Sequence, residues 1–192
     1  RLIEDGGLQW MNAGKGIIHE EMPLQSEGKM RGFQLWVNLP ANEKMSDPGY
    51  QDIPTANIPE LSSDNGSLIR VLAGNYLGQE GAVTTHGVNP QFFDFHLVAN
   101  ESLTMATQST HNGFLYVYEG EVGVSDKTLK KGQLGVLDFA EQLTLTTRGA
   151  ARAILVSGEP INEPVVQYGP FVMNTEEEIN QALSDFQQGV LA

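Results

Sequence analysis

Apolar and polar positions alternate with a period of two along most of the chain, and the alternation comes in short runs. "LQWMN" (8–12), "GIIHEEM" (16–22) and "GFQLWVNL" (32–39) are rich in β-branched and aromatic residues and are parted by Gly- or Pro-bearing turns such as "AGKG". After residue 66 the signal returns in "SLIRVLAG", "GAVTTHG", "QFFDFHLVA", "SLTMATQ", "FLYVYEGEVGV", "QLGVLDF", "QLTLTTRG" and "ARAILVSGEP". Short strands at this spacing predict an all-β sandwich or barrel rather than βαβ units. Residues 40–66 hold four of the nine prolines and read as a connecting segment lying over a surface. Only the C-terminus has the helical period. There Ile179, Ala182, Leu183 and Phe186 recur at i, i+3, i+4 and i+7, Asn174 or Thr175 can cap with Glu177 or Glu178 three residues on, and Gly189 stops the helix. That helix is expected to pack back on a sheet.

Composition narrows the function classes. The 192 residues are enough for one large β domain or two small ones, and 21 glycines favour tight turns over long helices. Lys plus Arg number 11 against 24 Asp plus Glu, a net charge of −13, so a phosphate backbone would be repelled and direct nucleic-acid binding is not expected. The chain has no cysteine, which excludes disulfides, thiolate catalysis and zinc ribbons. No apolar run approaches the roughly 18 residues of a membrane span, and "RLIEDGG" resembles no signal peptide. A cytoplasmic monomer is the expectation.

The candidate chemistry lies in "GIIHEEMP" (16–23). On a strand, residues at i and i+2 share a face, so His19 and Glu21 would be presented together and Glu20 would face the other way. Such a pair can bind a metal, act as an acid/base couple, or form a solvated edge. Asp94 and His96 have the same spacing in "FFDFHLV", with Phe93, Phe95 and Leu97 on the opposite face, and read as the polar side of a half-buried strand. His111 stands without a neighbouring histidine or a glutamate a few residues on. Placing Gly7 over Gly132 aligns turn, strand, turn and strand without a gap and sets His19 on Thr144 and Glu21 on Thr146. The match is either an internal repeat whose second copy has hydroxyls in place of ligands, or a coincidence between two β segments.

Longer motifs carry a resemblance. "DGGLQWMNAGKGIIHEEMP", "GFQLWVNLP" followed by "EKMSDPGYQ", and "GEPINEPVVQYGPFVMNTEEEINQA" together resemble the pirin family of bicupins, over nearly the whole chain. The resemblance implies two facing cupin barrels or sandwiches. Residues 1–60 would hold the remainder of an N-terminal metal-binding cupin and a connecting segment; residues 61–192 would be a metal-free cupin with the C-terminal helix. It implies one non-haem Fe(II), held in the family by three His and one Glu, and maps His19 and Glu21 onto two of those ligands. The other two come from an H-x-H motif upstream of "GGLQWM" in the family, and this sequence has no H-x-H. Either the sequence starts after that segment, which the opening Arg1 favours, or the protein is natively short with an incomplete site. The implied activity is that of a quercetin 2,3-dioxygenase, with Glu21 also the base for a small aromatic substrate such as a flavonol. The alternative implied role is a metal-dependent module that binds a protein partner, a transcription factor or a metabolic enzyme.

Overall fold

The structure is a computed structural model that describes residues 3–24, 27–85, 87–138 and 140–191. Its strands run in order β1 (Leu8–Asn12), β2 (Gly49–Ile53), β3 (Glu60–Ser62), β4 (Leu68–Ala73), β5 (Asn75–Tyr76), β6 (Gln79–Glu80), β7 (Gln91–Leu97) and β8 (Ser102–Ala106). They continue as β9 (Asn112–Glu119), β10 (Glu121–Val124), β11 (Lys127–Lys130), β12 (Leu134–Leu137), β13 (Gln142–Thr146), β14 (Ala151–Gly158), β15 (Val166–Tyr168) and β16 (Phe171–Met173), before helix α1 (Glu176–Gln188). One sheet has six strands, in the order β12-β9-β14-β7-β4-β3, and another has four, in the order β11-β10-β13-β8. Every pairing of named strands within these two sheets is antiparallel.

Alternation explains how the two sheets meet. In β13, Leu143 and Leu145 are buried while Gln142, Thr144 and Thr146 are exposed. From the other sheet, Ile69, Val71, Phe93, Phe95, Leu115, Val117 and Leu155 join them in one core with Met105 and Val122. Tyr76, Phe93 and Phe95 pack edge to face with ring centroids 5.5–6.5 Å apart, a geometry that aromatic quadrupoles favour. The all-β expectation with a C-terminal helix holds, as open sheets packed in a sandwich and not as closed barrels.

The chain divides into two compact units that interleave in sequence: residues 1–10 with 51–160, and residues 11–50 with 161–192. The sandwich belongs to the first. In the second, α1 packs on the β15–β16 ribbon, with Phe186 and Phe171 edge to face at 6.2 Å. Thr175 caps the helix, its hydroxyl accepting from the Glu178 amide while the Glu178 carboxylate accepts from the Thr175 amide, and Gly189 ends it in the left-handed conformation. The buried Lys44 fastens the two parts of this unit, donating to Asn38 Oδ1 at 2.6 Å and to the Val172 carbonyl at 3.2 Å. Burial holds the Lys44 ammonium below its usual pKa range, while Glu163 and Glu178 pull it back up.

Two expected strands are absent. Residues 16–22 and 32–39 have the β-branched and aromatic content of strands, yet neither forms a strand, and Ile18 and Trp36 are exposed. A strand exists only where a neighbouring strand takes its N–H and C=O groups, and among the described residues no sheet includes these segments. "GAVTTHG" contributes a single bridge, Val83 to Ala73, and its His86 lies outside the described residues. Conversely, the proline-rich 40–66 segment contains β2 and β3, with each proline outside the strands.

Candidate functional site

His19 and Glu21 leave from a tightly fixed turn. The Gly16 amide donates to Ala13 O at 2.9 Å and the Lys15 amide to Ser46 O at 2.8 Å, while the Lys15 ammonium pairs with Asp47 at 2.6 Å. Gly14 has a φ of +49°, and a Cβ there would stand 2.1 Å from Ser46 O, so only glycine fits. Past Gly16 the support ends: Ile18, His19, Glu20, Glu21 and Met22 are all exposed. The structure therefore does not place the imidazole and the carboxylate on a strand face.

Nor does it complete a metal centre around them. A non-haem iron site takes at least two histidines and a carboxylate. Among the described residues no group of three or more His, Asp or Glu is arranged to hold a metal ion. His19 and Glu21 can supply two donors, and the described residues do not complete the set of four that the family resemblance implies.

His96 and His111 sit in the first unit. His111, 6% exposed, lies 3.5 Å from Ser157 Oγ and 3.9 Å from Glu159 Oε1. Burial lowers its pKa, against an opposing pull from Glu159, so the imidazole is held neutral. His96 Nε2 is 3.1 Å from Asp94 Oδ2.

Asp94 is the centre of a network that sequence reasoning missed. The expected polar side of β7 is not solvated: Asp94 is 8% exposed and Phe92, on the same face, 7%. Arg70 stands opposite Asp94 in register on β4 and reaches its Oδ2 at 3.4 Å, while also donating to Gly6 O at 2.6 Å and meeting Glu60 at 3.3 Å. Tyr118 Oη donates to Asp94 Oδ1 at 2.6 Å. Burial would raise the Asp94 pKa, but the hydrogen bonds from His96 and Tyr118 and the nearby charges outweigh it and the carboxylate stays ionised. Burial, with Asp94 alongside, raises that of Tyr118, which stays a neutral donor. The signal in the sequence was Phe92, an aromatic residue sharing a face with Asp94.

Residues 92–192 match the family model for the pirin C-terminal cupin domain, and residues 1–37 match the pirin model. The chain belongs to the pirin family. A Pseudomonas aeruginosa protein named "Putative quercetin 2,3-dioxygenase" is 43% identical over 198 residues, which span 100% of this chain and 70% of that protein. A pirin-like protein of Caulobacter vibrioides is 43% identical over 189 residues, 98% of this chain and 68% of that one. Among solved structures, quercetin 2,3-dioxygenase from Acinetobacter baumannii superposes with a TM-score of 0.87 at 33% identity, covering 99% of this pirin and 68% of that chain. The H-x-E pair lies inside the segment matched by the pirin model. No described helix of this pirin is long and apolar enough to cross a membrane.

Proposed function

We propose that this pirin cleaves a small aromatic flavonol with O2, as a quercetin 2,3-dioxygenase. The observation that carries the reading is the 43% identity, over the whole chain, to the Pseudomonas aeruginosa protein named for that reaction. In this reading His19 is a metal ligand, and Glu21 is a ligand that also takes the proton of the flavonol hydroxyl. A carboxylate can accept that proton, and the exposed position of Glu21 lets it meet a substrate hydroxyl. The iron of this reading needs donors beyond His19 and Glu21, which the described residues do not provide.

The test is oxygen uptake with quercetin after loading with Fe(II). We expect uptake coupled to loss of flavonol absorbance, abolished in His19→Ala and about a hundredfold slower in Glu21→Gln. Uptake no greater than that of free Fe(II), under conditions where a proven flavonol dioxygenase turns over, would overturn the reading.

The exposed apolar side chains of Ile18, Met22, Leu24, Met30 and Trp36, in the same stretch of sequence as the pair, support a second reading as a protein-binding module. In that case affinity capture recovers a stable partner whose binding responds to iron, and no oxygen uptake accompanies it.

A further inference from the structure

At the end of the sandwich where β4 and β8 finish and β7 begins, a cavity of about 710 Å³ opens beneath the β5–β6 hairpin. It is built from residues other than His19 and Glu21, and its volume is in the range of small-molecule sites. We infer that this cavity binds an uncharged, hydroxyl-bearing ring compound of the glycoside class.

The lining excludes anions. It contains no lysine or arginine, and its single charged residue is Glu80, in a chain of net charge −13. What it offers instead are amides: Asn75, Gln91 and Gln108, together with the phenol of Tyr76 and the apolar side chains of Leu77 and Met105. Amides and a neutral phenol donate to and accept from hydroxyl groups without demanding a charge.

These groups are held in place before any ligand arrives. Gln91 Oε1 accepts from the Asn75 amide at 3.0 Å, Asn75 Nδ2 donates to Glu80 Oε1 at 2.7 Å, and Asn75 Oδ1 accepts from the Gly78 amide at 2.9 Å. The Gln91 side chain lies flat against Gly74, where a Cβ would meet its terminal atoms at 2.4–2.7 Å. That arrangement leaves Gln91 Nε2 without a partner among the described residues.

Two further observations point to a ligand. Tyr76 is 3% exposed, and its hydroxyl has no hydrogen-bond partner among the described residues. The oxygen keeps access to solvent, since Asn174 Oδ1 is the one fully buried side-chain oxygen or nitrogen without a partner among the described residues, and so the hydroxyl stays open to a ligand. Burial and the neighbouring charge of Glu101 keep the phenol protonated, and so a donor. Leu77 has a φ of +50° and is 78% exposed at the hairpin tip. A two-residue turn with positive φ at both positions calls for Asn or Gly first, so a leucine there is retained against local backbone preference. Its side chain gives the rim an apolar contact for a ring.

The probe is phenyl β-D-glucopyranoside, titrated into the full 192-residue chain and followed by saturation-transfer NMR and calorimetry, with phenyl phosphate as the anionic comparison. We expect saturable binding of the glucoside that phenyl phosphate does not displace. Tyr76→Phe, which removes one oxygen, and Leu77→Gly, which relaxes the turn without threatening the fold, should each weaken binding about threefold to tenfold. Absence of saturable glucoside binding, equal competition by phenyl phosphate, or binding that both variants leave unchanged would overturn the inference.

Discussion

The phenol of Tyr118, on β9, donates to Asp94 Oδ1, on β7, across the intervening strand β14 at 2.6 Å. Two strands that share no backbone hydrogen bond are thereby tied on the outer face of the sheet, with Arg70 closing the network from β4. Asp94→Ala removes the acceptor shared by Arg70, Tyr118 and His96, leaving the buried guanidinium Glu60 as its carboxylate, and should cost about 3 kcal/mol, whereas Tyr118→Phe removes one hydrogen bond and should cost about 1–2 kcal/mol. Urea denaturation of both variants and the double variant measures the coupling; additive losses would show that the two groups do not act together.

Glu101 makes stability depend on acidity. Hydrogen bonds from Ser63, Ser67 and Asn65, at 2.6–2.9 Å, and from the Ser102 amide lower its pKa to about 2. A carboxylate with a depressed folded-state pKa stabilises the fold fully above its unfolded value of about 4.3, and the contribution drains away as pH falls toward 2. Unfolding free energy measured at pH 6, 4 and 3 should therefore decline. Glu101→Gln should be less stable at pH 6 and should flatten the decline over the acid range.

Substitutions at the H-x-E pair should separate function from folding. His19 and Glu21 are exposed and hold no described contact, so His19→Ala and Glu21→Gln should shift stability by no more than about 0.5 kcal/mol. Thermal melts that fell by many degrees would show that the segment packs in solution in a way the structure does not display.

The helix cap offers a local probe of the second unit. Thr175→Ala removes the acceptor for the Glu178 amide and should cost about 1 kcal/mol. Hydrogen exchange should quicken first in the amides of Glu176–Glu178, and an unchanged exchange rate there would contradict the capping role.

How much of this was legible in the sequence depends on the range of the interaction. The cap at Thr175 and the stop at Gly189 are set by residues within one helical turn, and they were readable. So was β7, because Phe93, Phe95 and Leu97 mark one face whatever lies beside them. Residues 32–39 alternate much as β13 does, with Phe33, Leu35, Val37 and Leu39 at every second position, but β13 has β8 and β10 to pair with and residues 32–39 lie in no described strand. Alternation reports which side chains could share a face and says nothing of whether a neighbour is present. The Arg70–Asp94 pair and the Glu101 cluster join positions 24 and 34–38 residues apart through sheet register and loop closure, and the order of residues alone does not carry that information. For the candidate site, residue types and spacing singled out His19 and Glu21, while the third donor a metal would need lies in neither the pattern nor the described fold.

The interleaving of the two units has a consequence for synthesis. Some partners of residues 11–50, such as Val172 for Lys44 and Glu163 for the Ala41 amide, lie in the last stretch of the sequence. The 110 residues between, 51 through 160, must be translated first, which takes roughly 6–22 s at about 5–20 residues per second. During that interval the sandwich can assemble strand by strand, while the Lys44 ammonium and the Ala41 amide wait for Val172 and Glu163.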